Sequence, residues 1–191
     1  LLPMLNRTME NVEKIIIYGA TSTAIHLAKV LEETMRDVCI IEPSREKAHQ
    51  AADKLERTLV QHGSGTDMDL FNEINMKDAD FFLALSHDDE NNILSALLAK
   101  KHGAKRALVI THDPEYLPIL DSIGMDITIN PRLIAVSSIL KHLRKGQVMS
   151  VFKLIEDAEV MEIGVTENSS IVNKKIGKIK FPKDALIGAL L

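Results

Sequence analysis

Short apolar runs alternate along this chain with segments whose apolar residues have the spacing of a helix. Residues 15–18 are all β-favouring, as in a strand buried on both faces of a sheet. Apolar residues then recur at positions 24, 27, 28 and 31, the spacing of a helix with one face on a sheet. A second apolar run, residues 38–41, ends at Glu42. This order predicts a strand, a helix and a second strand, the unit from which nucleotide-binding α/β folds are built.

The same alternation continues for most of the chain. Further apolar runs at residues 58–61, 80–85, 107–110 and 127–129 are separated by helical segments or turns. Strands that alternate with helices imply right-handed crossovers and a parallel sheet. A last helix is predicted at 131–143, with Pro131 in its first turn and apolar residues on two stripes. We therefore predict an α/β fold: a Rossmann-like, doubly wound, parallel six-stranded sheet.

The pattern changes at Gly146. Beyond it, residues 151–155 and 160–165 alternate like half-exposed strands, 169–179 predict a short helix, and 185–191 a further strand. We expect a linker or the tail of a preceding domain at 1–12, a nucleotide-binding domain at 13–146, and part of a small α+β domain at 147–191. The chain begins at Leu1 rather than at methionine and stops on the apolar run ALIGALL, so we expect it to be a piece of a longer protein.

The turn after the first strand carries an altered glycine fingerprint. Read as G-x-G-x-x-G from Gly19, it places Thr21 at the second glycine and Ala24 at the third. Threonine narrows the approach for a pyrophosphate, but the following helix N-terminus still offers free N–H groups and a positive dipole end. Thr21, Ser22 and Thr23 add hydroxyl donors. A working nucleotide site and a domain that has lost its ligand both remain open.

Glu42 is the second candidate site residue. It lies about 20 residues beyond the glycine turn, where a dinucleotide-binding unit places the carboxylate that binds the ribose hydroxyls. Such a carboxylate repels a 2′-phosphate. We therefore expect any ligand to carry an unphosphorylated adenosine ribose, and NAD(H) to bind better than NADP(H).

Composition argues against several classes of function. The net charge is −4, so no electrostatic signature of nucleic-acid binding is present. No apolar run approaches the ~18 residues of a spanning helix, so direct membrane insertion is not expected. The single cysteine, Cys39, lies in an apolar strand and is interpreted as a buried hydrophobe. No histidine spacing predicts zinc, and Asp88, Asp89 and Glu90 are interpreted as charges that open a helix.

Several segments together resemble a known family. They are the acidic strand end Ile41-Glu42, the turn HGSGTD, the segment ADFFLALSHDDENNILSALLAKKHGAK, the turn HDPEY and the ending INPRLIAVSSILKHLRKG. Their order and spacing resemble the nucleotide-binding regulatory domain of potassium transport systems, the KTN or RCK domain, over residues 14–146. Within that family the chain is most similar to the second such domain of the Trk potassium-uptake regulators. Residues from 148 onward resemble the start of the family's small C-terminal (RCK-C) domain.

This resemblance implies a function. It implies a non-catalytic cytoplasmic regulatory subunit that binds NAD(H) or ATP/ADP and gates a membrane potassium transporter subunit from the inner face of the cell membrane. It also implies a homodimer or higher homo-oligomer formed through helix 131–143. The ligand-binding positions that it implies lie at the ends of three strands: Gly19, Ala20, Thr21, Ser22, Thr23, Glu42, Ser86 and His87.

Two other interpretations stay open. The first is an NAD-dependent oxidoreductase, which needs a proton donor and a substrate pocket. Neither Tyr18 nor Tyr116 is followed by a lysine four residues on, and the second domain is too small to close over a substrate. The second interpretation is a structural pseudo-domain that has kept its assembly surface and lost its ligand.

Overall fold

The structure is a computed structural model that describes residues 12–34, 37–143, 147–155, 158–165, 167–179, 181 and 183. The strand predicted at 185–191 and nearly all of the predicted linker lie outside these residues. The chain divides into two compact units, Leu1–Arg132 and Leu133–Leu191. Each unit is described by itself.

The first unit contains a parallel six-stranded sheet, which confirms the predicted fold. The strand order is β3-β2-β1-β4-β5-β6, the order of doubly wound dinucleotide-binding folds. Adjacent strands in this sheet all pair in parallel. The order reverses between β1 and β4, so their carboxyl ends form the topological switch point. The strands are β1 (Lys14–Tyr18), β2 (Asp37–Glu42), β3 (Leu59–His62), β4 (Phe81–Ala84), β5 (Arg106–Ile110) and β6 (Ile127–Ile129).

Helices cover both faces of this sheet. Ile16 and Tyr18 belong to a core cluster that includes residues of α3 and α4, whereas Ile15 and Ile17 belong to a second cluster with residues of α1. Burial on both sides explains why β1 is a continuous apolar run. The helices are α1 (Ser22–Thr34), α2 (Arg45–Ala52), α3 (Met68–Glu73), α4 (Asp89–Lys101), α5 (Tyr116–Ser122) and α6 (Pro131–Leu143), with a 3-10 turn at Met76–Asp78.

The second unit contains an antiparallel pair of strands, β7 (Gln147–Ile155) and β8 (Ala158–Gly164). They confirm the strands predicted there. The helix predicted at 169–179 is wrong: the chain forms turns, and then a 3-10 helix at Ile176–Lys178. Asn173 adopts a left-handed φ of 59°, which a continuous right-handed helix cannot contain. The two units divide between Arg132 and Leu133, within α6, and the domain limits proposed from the sequence stay predictions.

Glu32 ties α1 to the segment that precedes β3. Its carboxylate accepts hydrogen bonds from the backbone N–H groups of Glu56, Arg57 and Thr58 at 3.1, 2.8 and 2.7 Å. Burial alone would raise the pKa of this carboxyl, but the hydrogen bonds outweigh burial and lower the pKa from 4.5 to about 2. The ionised form therefore stabilises the fold.

We expect Glu32→Gln to lower the free energy of unfolding at pH 7 by about 2 kcal/mol, because the amide replaces charge-assisted hydrogen bonds with neutral ones. The contribution of a carboxyl with a lowered pKa is complete above its unfolded value of 4.5 and is lost as the pH falls toward about 2. Urea unfolding at pH 7 and pH 3 measures this, and the deficit of the variant should shrink at the lower pH. Glu33→Gln, at the exposed neighbouring position, is the control. A pH-independent deficit, or an equal one in the control, would contradict the assignment.

Candidate functional site

A crevice of about 620 Å³ opens at the carboxyl ends of β1, β2 and β4. It lies at the topological switch point, where open α/β sheets bind ligands. Seven of the eight positions predicted from the sequence line it: Gly19, Ala20, Thr21, Ser22, Glu42, Ser86 and His87. Thr23 lies in the first turn of α1 with an exposed side chain and is not among the lining residues.

Gly19 sets the floor of the crevice. Its φ is +92°, a conformation that side chains with a Cβ rarely adopt. A Cβ built there would lie 2.7 Å from Cα of Ser86. Its N–H donates to the carbonyl of Ile41 at 2.8 Å. Glycine is therefore required both for the turn and for the close approach of β1 to the end of β4.

Thr21 begins α1. Its Oγ1 accepts a hydrogen bond from the N–H of Ala24 at 3.2 Å and donates to the carbonyl of Leu85 at 3.0 Å. The first of these bonds caps the helix, and the second joins the turn to the end of β4. The Thr21 hydroxyl proton is therefore engaged within the protein and is not free to donate to a ligand. Ala24 is fully buried, so alanine is accommodated at the third glycine position.

Three consecutive backbone N–H groups remain open at the start of α1. Those of Thr21, Ser22 and Thr23 donate no hydrogen bond to any residue that the structure describes. Unsatisfied N–H groups at a helix N-terminus carry a partial positive charge and favour anions. This end of the crevice can therefore accept a phosphate without a basic side chain.

Glu42 is a buried carboxylate, with 6% of the residue exposed. Its Oε2 accepts from the N–H of Ala20 at 2.7 Å, and its Oε1 accepts from the N–H of Ser44 at 2.9 Å. These bonds tie the end of β2 to the glycine turn and fix the orientation of the carboxylate. Each oxygen of an ionised carboxylate can accept a second hydrogen bond. The carboxylate therefore keeps the capacity to bind hydroxyl groups that enter the crevice.

Asn92 holds together the opposite wall. It is fully buried, and its Oδ1 accepts from the N–H and the Oγ of Ser86 at 3.0 and 2.7 Å. Its Nδ2 donates to the carbonyls of Ser86 and Ile110 at 2.9 and 3.0 Å. One side chain thus joins the end of β4 to the end of β5. The Ser86 hydroxyl serves this wall, whereas the exposed His87 faces the opening.

The acidic run beside this wall has a structural role. Asp88 caps α4 by accepting from the N–H of Asn91 at 2.9 Å, and hydrogen bonds from Asn91 lower the pKa of the Asp88 carboxyl. The buried Asp89 accepts from the Thr111 hydroxyl at 2.9 Å and from the His112 N–H at 2.8 Å. Burial raises the pKa of Asp89. These hydrogen bonds, together with one to the His112 ring, outweigh the effect of burial, so the pKa of the Asp89 carboxyl is lowered. Within the described residues, no cluster of His, Cys, Asp or Glu is suited to a metal ion.

Sequence reasoning missed the side of the crevice formed by α2 and the turn after it. Lys47, Gln50 and Lys54 line this side. They recur three and four residues apart, so they share one helical face, and α2 follows directly on β2. That spacing, combined with the predicted alternation of strands and helices, was the available signal. The two lysines add positive charge near the carboxylate of Glu42.

None of the described helices combines the length and the hydropathy that crossing a bilayer requires.

Comparisons with known proteins match a domain family to the first unit and relatives to nearly the whole chain. The TrkA-N domain family matches residues 15–131. The Trk system potassium uptake protein TrkA of Haemophilus influenzae is 38% identical over 191 residues, which cover 98% of this chain. The chain spans 42% of the length of that relative.

Solved structures support the fold. The TrkA-N domain of the inner membrane protein ybaL from Escherichia coli superposes with a TM-score of 0.62 at 10% identity, covering 71% of this chain and all of that domain. The GsuK channel bound to NAD superposes with a TM-score of 0.57 at 16% identity, covering 78% of this chain and 26% of the channel chain. At these identities the likeness concerns the fold alone.

Proposed function

This chain belongs to the TrkA-N domain family, and from that premise we propose that it is the nucleotide-sensing part of a regulatory subunit of a potassium uptake system. The relative from Haemophilus influenzae is named as a potassium uptake protein. The single observation that carries the nucleotide-sensing role is the crevice at the switch point. It places a buried carboxylate, Glu42, in the same crevice as the open N–H groups of Thr21 and Ser22.

The proposed ligand is an adenine nucleotide, NAD(H) or ATP/ADP. Its phosphates would lie at the open N–H groups of Thr21 and Ser22, which line the crevice and favour anions. Its ribose hydroxyls would donate to Glu42, whose orientation is already fixed by Ala20 and Ser44. A crevice of about 620 Å³ falls within the usual size range of sites for small ligands. The GsuK channel, which shares the fold, is described as bound to NAD.

We expect NAD(H) to bind at least ten times more tightly than NADP(H), because Glu42 would face the 2′-phosphate. Lys47 and Lys54 line the same crevice, so they soften this repulsion without abolishing it. Calorimetric titration of the chain with each dinucleotide measures the ratio. Glu42→Gln should weaken the binding of NAD(H) and bring the ratio of the two affinities close to one. Tighter binding of NADP(H) by the unmodified chain, or an unchanged ratio in the variant, would contradict the role of Glu42.

The proposed output is a change in geometry that is passed to a membrane potassium transporter subunit on the cytoplasmic side. A ligand shifts such an equilibrium only by the difference between its affinities for the two arrangements. The residues that line the crevice show no nucleophile held by a base, and we propose binding without catalytic turnover. Steady consumption of NADH, lost on changing one crevice side chain, would instead favour the oxidoreductase.

Assembly is proposed to occur through α6. Four apolar side chains of this helix are more than a third exposed: Leu133, Ile134, Val136 and Ile139. Burying such area releases about 25 cal/mol per Å², and two-fold pairing is the commonest way for soluble proteins to bury it. Equivalent helices of two copies would then pack against each other.

We expect the chain to be a homodimer without nucleotide, and Ile134→Asp combined with Ile139→Asp to make it a monomer. A charge buried at such an interface is strongly unfavourable. Light scattering coupled to size-exclusion chromatography measures the mass. Val30→Asp is the matched control, since Val30 of α1 is also half-exposed at 51% and should not affect the mass. A monomeric unmodified chain would contradict the proposed dimer. A dimer that persists in the double variant would show that the interface lies outside α6.

The pseudo-domain remains the main alternative to nucleotide sensing. Mass spectrometry of small molecules released from the purified chain, together with the titration, separates the two. A chain that carries no nucleotide and binds none, yet still dimerises, would support the alternative.

A further inference from the structure

Tyr18 is the last residue of β1 and lines the crevice next to the glycine turn. Only 5% of the residue is exposed. Its ring packs directly on Gly65, because a Cβ built on Gly65 would lie 2.6 Å from two ring carbons. The ring therefore has a fixed position below the crevice.

The Tyr18 hydroxyl forms no hydrogen bond with any residue that the structure describes. A buried tyrosine hydroxyl normally has a hydrogen-bond partner. The oxygen is not among the polar atoms sealed from solvent, so it opens to the crevice that the residue lines. The missing partner can therefore be supplied by a ligand in that crevice.

The surroundings of the hydroxyl restrict what that ligand group can be. Burial, and then the negative charges of Asp88 and Glu42, raise the pKa of the Tyr18 hydroxyl. The group therefore stays protonated and can both donate and accept a hydrogen bond. A phosphate beside it would face the same two carboxylates, whereas the open N–H groups of α1 favour an anion. An uncharged oxygen or nitrogen suits the hydroxyl better.

We propose that the Tyr18 hydroxyl hydrogen-bonds an uncharged polar atom of the nucleoside part of the bound nucleotide, and so helps to select a nucleoside over phosphate alone. This inference rests on the proposed nucleotide-binding function and assigns a specificity-determining residue to the same site. Glu42, at the end of β2, would bind the ribose hydroxyls. Tyr18, at the end of β1, would bind another polar atom of the same nucleoside.

The test is calorimetric titration of the full chain with ADP, NAD and pyrophosphate, for the unmodified protein, Tyr18→Phe and Tyr116→Phe. Tyr18→Phe removes one oxygen that is not hydrogen-bonded to any described residue, so the melting temperature should not fall. We expect ADP and NAD to bind about three to ten times more weakly, the loss typical of one hydrogen bond, with pyrophosphate unaffected. Tyr116→Phe is the matched control. The Tyr116 hydroxyl donates to Glu90 at 2.6 Å, and neither of these two residues lines this crevice.

Fluorescence supplies an independent readout. The chain has two tyrosines and no tryptophan, so in Tyr116→Phe all tyrosine emission comes from Tyr18. ADP should change that emission, and pyrophosphate should not.

The outcomes separate this inference from the proposed function. Unchanged ADP and NAD affinity in Tyr18→Phe would overturn the role of Tyr18 and leave nucleotide sensing intact. Equal weakening of pyrophosphate, or emission indifferent to ADP, would also overturn the role of Tyr18. An unmodified chain that binds neither ADP nor NAD would overturn both proposals.

Discussion

Gly19→Ala is expected to destabilise the first unit by on the order of 3 kcal/mol or more and to abolish nucleotide binding. Alanine at a φ of +92° is strained, which costs about 1–2 kcal/mol. Its Cβ would also meet Cα of Ser86 at 2.7 Å, and overpacking of this kind adds about 1–3 kcal/mol. The Cβ position is fixed by the backbone of residue 19, and the Ser86 Cα is itself a backbone atom, so the contact can be relieved only by moving the backbone at the switch point. Urea unfolding monitored by circular dichroism measures the loss.

Gly124→Ala is the matched control for this prediction. Gly124 has a φ of +70° and nothing within 4 Å of a built Cβ, so its substitution tests the backbone strain alone. We expect it to cost about 1 kcal/mol and to leave nucleotide affinity unchanged. Equal losses for the two variants would show that the contact with Ser86 contributes nothing. A stable Gly19→Ala variant that binds nucleotide normally would refute the role assigned to the turn.

Asn92→Ala is expected to destabilise the same unit by about 3–5 kcal/mol, since each buried polar group left without a partner costs about 1–3 kcal/mol. The substitution removes four hydrogen bonds at once. It leaves the N–H and the carbonyl of Ser86 and the carbonyl of Ile110 without this partner. The wall between β4 and β5 should loosen, and nucleotide affinity should fall with stability.

The adjacent Asn91 provides the comparison for this variant. Asn91 is exposed, and its side chain makes one hydrogen bond, to Asp88 at 2.8 Å. We expect Asn91→Ala to cost about 0.5 kcal/mol. We would measure the free energy of unfolding of both variants under the same conditions. The comparison tests whether the loss of stability increases with the burial of the side chain and with the number of its hydrogen bonds. A small loss in Asn92→Ala would mean that water replaces the side chain at no cost.

Much of the fold followed from local sequence patterns. The continuous apolar runs predicted the parallel sheet because strands covered on both faces have no polar side. Asp67 stands directly before α3, where a short acidic side chain caps a helix, and it accepts from the N–H groups of Asp69 and Leu70 at 3.0 and 3.3 Å. Where the pattern was weaker, it failed. Residues 169–179 are helix-compatible one at a time, but Asn173 takes a left-handed conformation that ends any helix.

The site was harder to predict, because its hydrogen bonds join residues far apart in sequence. Thr21 was expected to offer its hydroxyl to a ligand, yet the hydroxyl caps α1 and donates to Leu85, 64 residues away. Asn92 belongs to the segment that carried the family resemblance. No local pattern shows that its side chain reaches both Ser86 and Ile110.

By itself, the sequence determined the sheet, the family resemblance and the positions of Gly19 and Glu42, because strand periodicity, turn chemistry and spacing are local properties. Only the tertiary structure decided what those residues do. It placed Ser86 against Gly19 and fixed the Glu42 carboxylate through Ala20 and Ser44. It also left the Tyr18 hydroxyl without a hydrogen-bond partner in the part of the chain that the structure describes. These features depend on which strand ends meet at the switch point. Which strand ends lie together cannot be read from distance along the chain, because it depends on how the whole sheet packs.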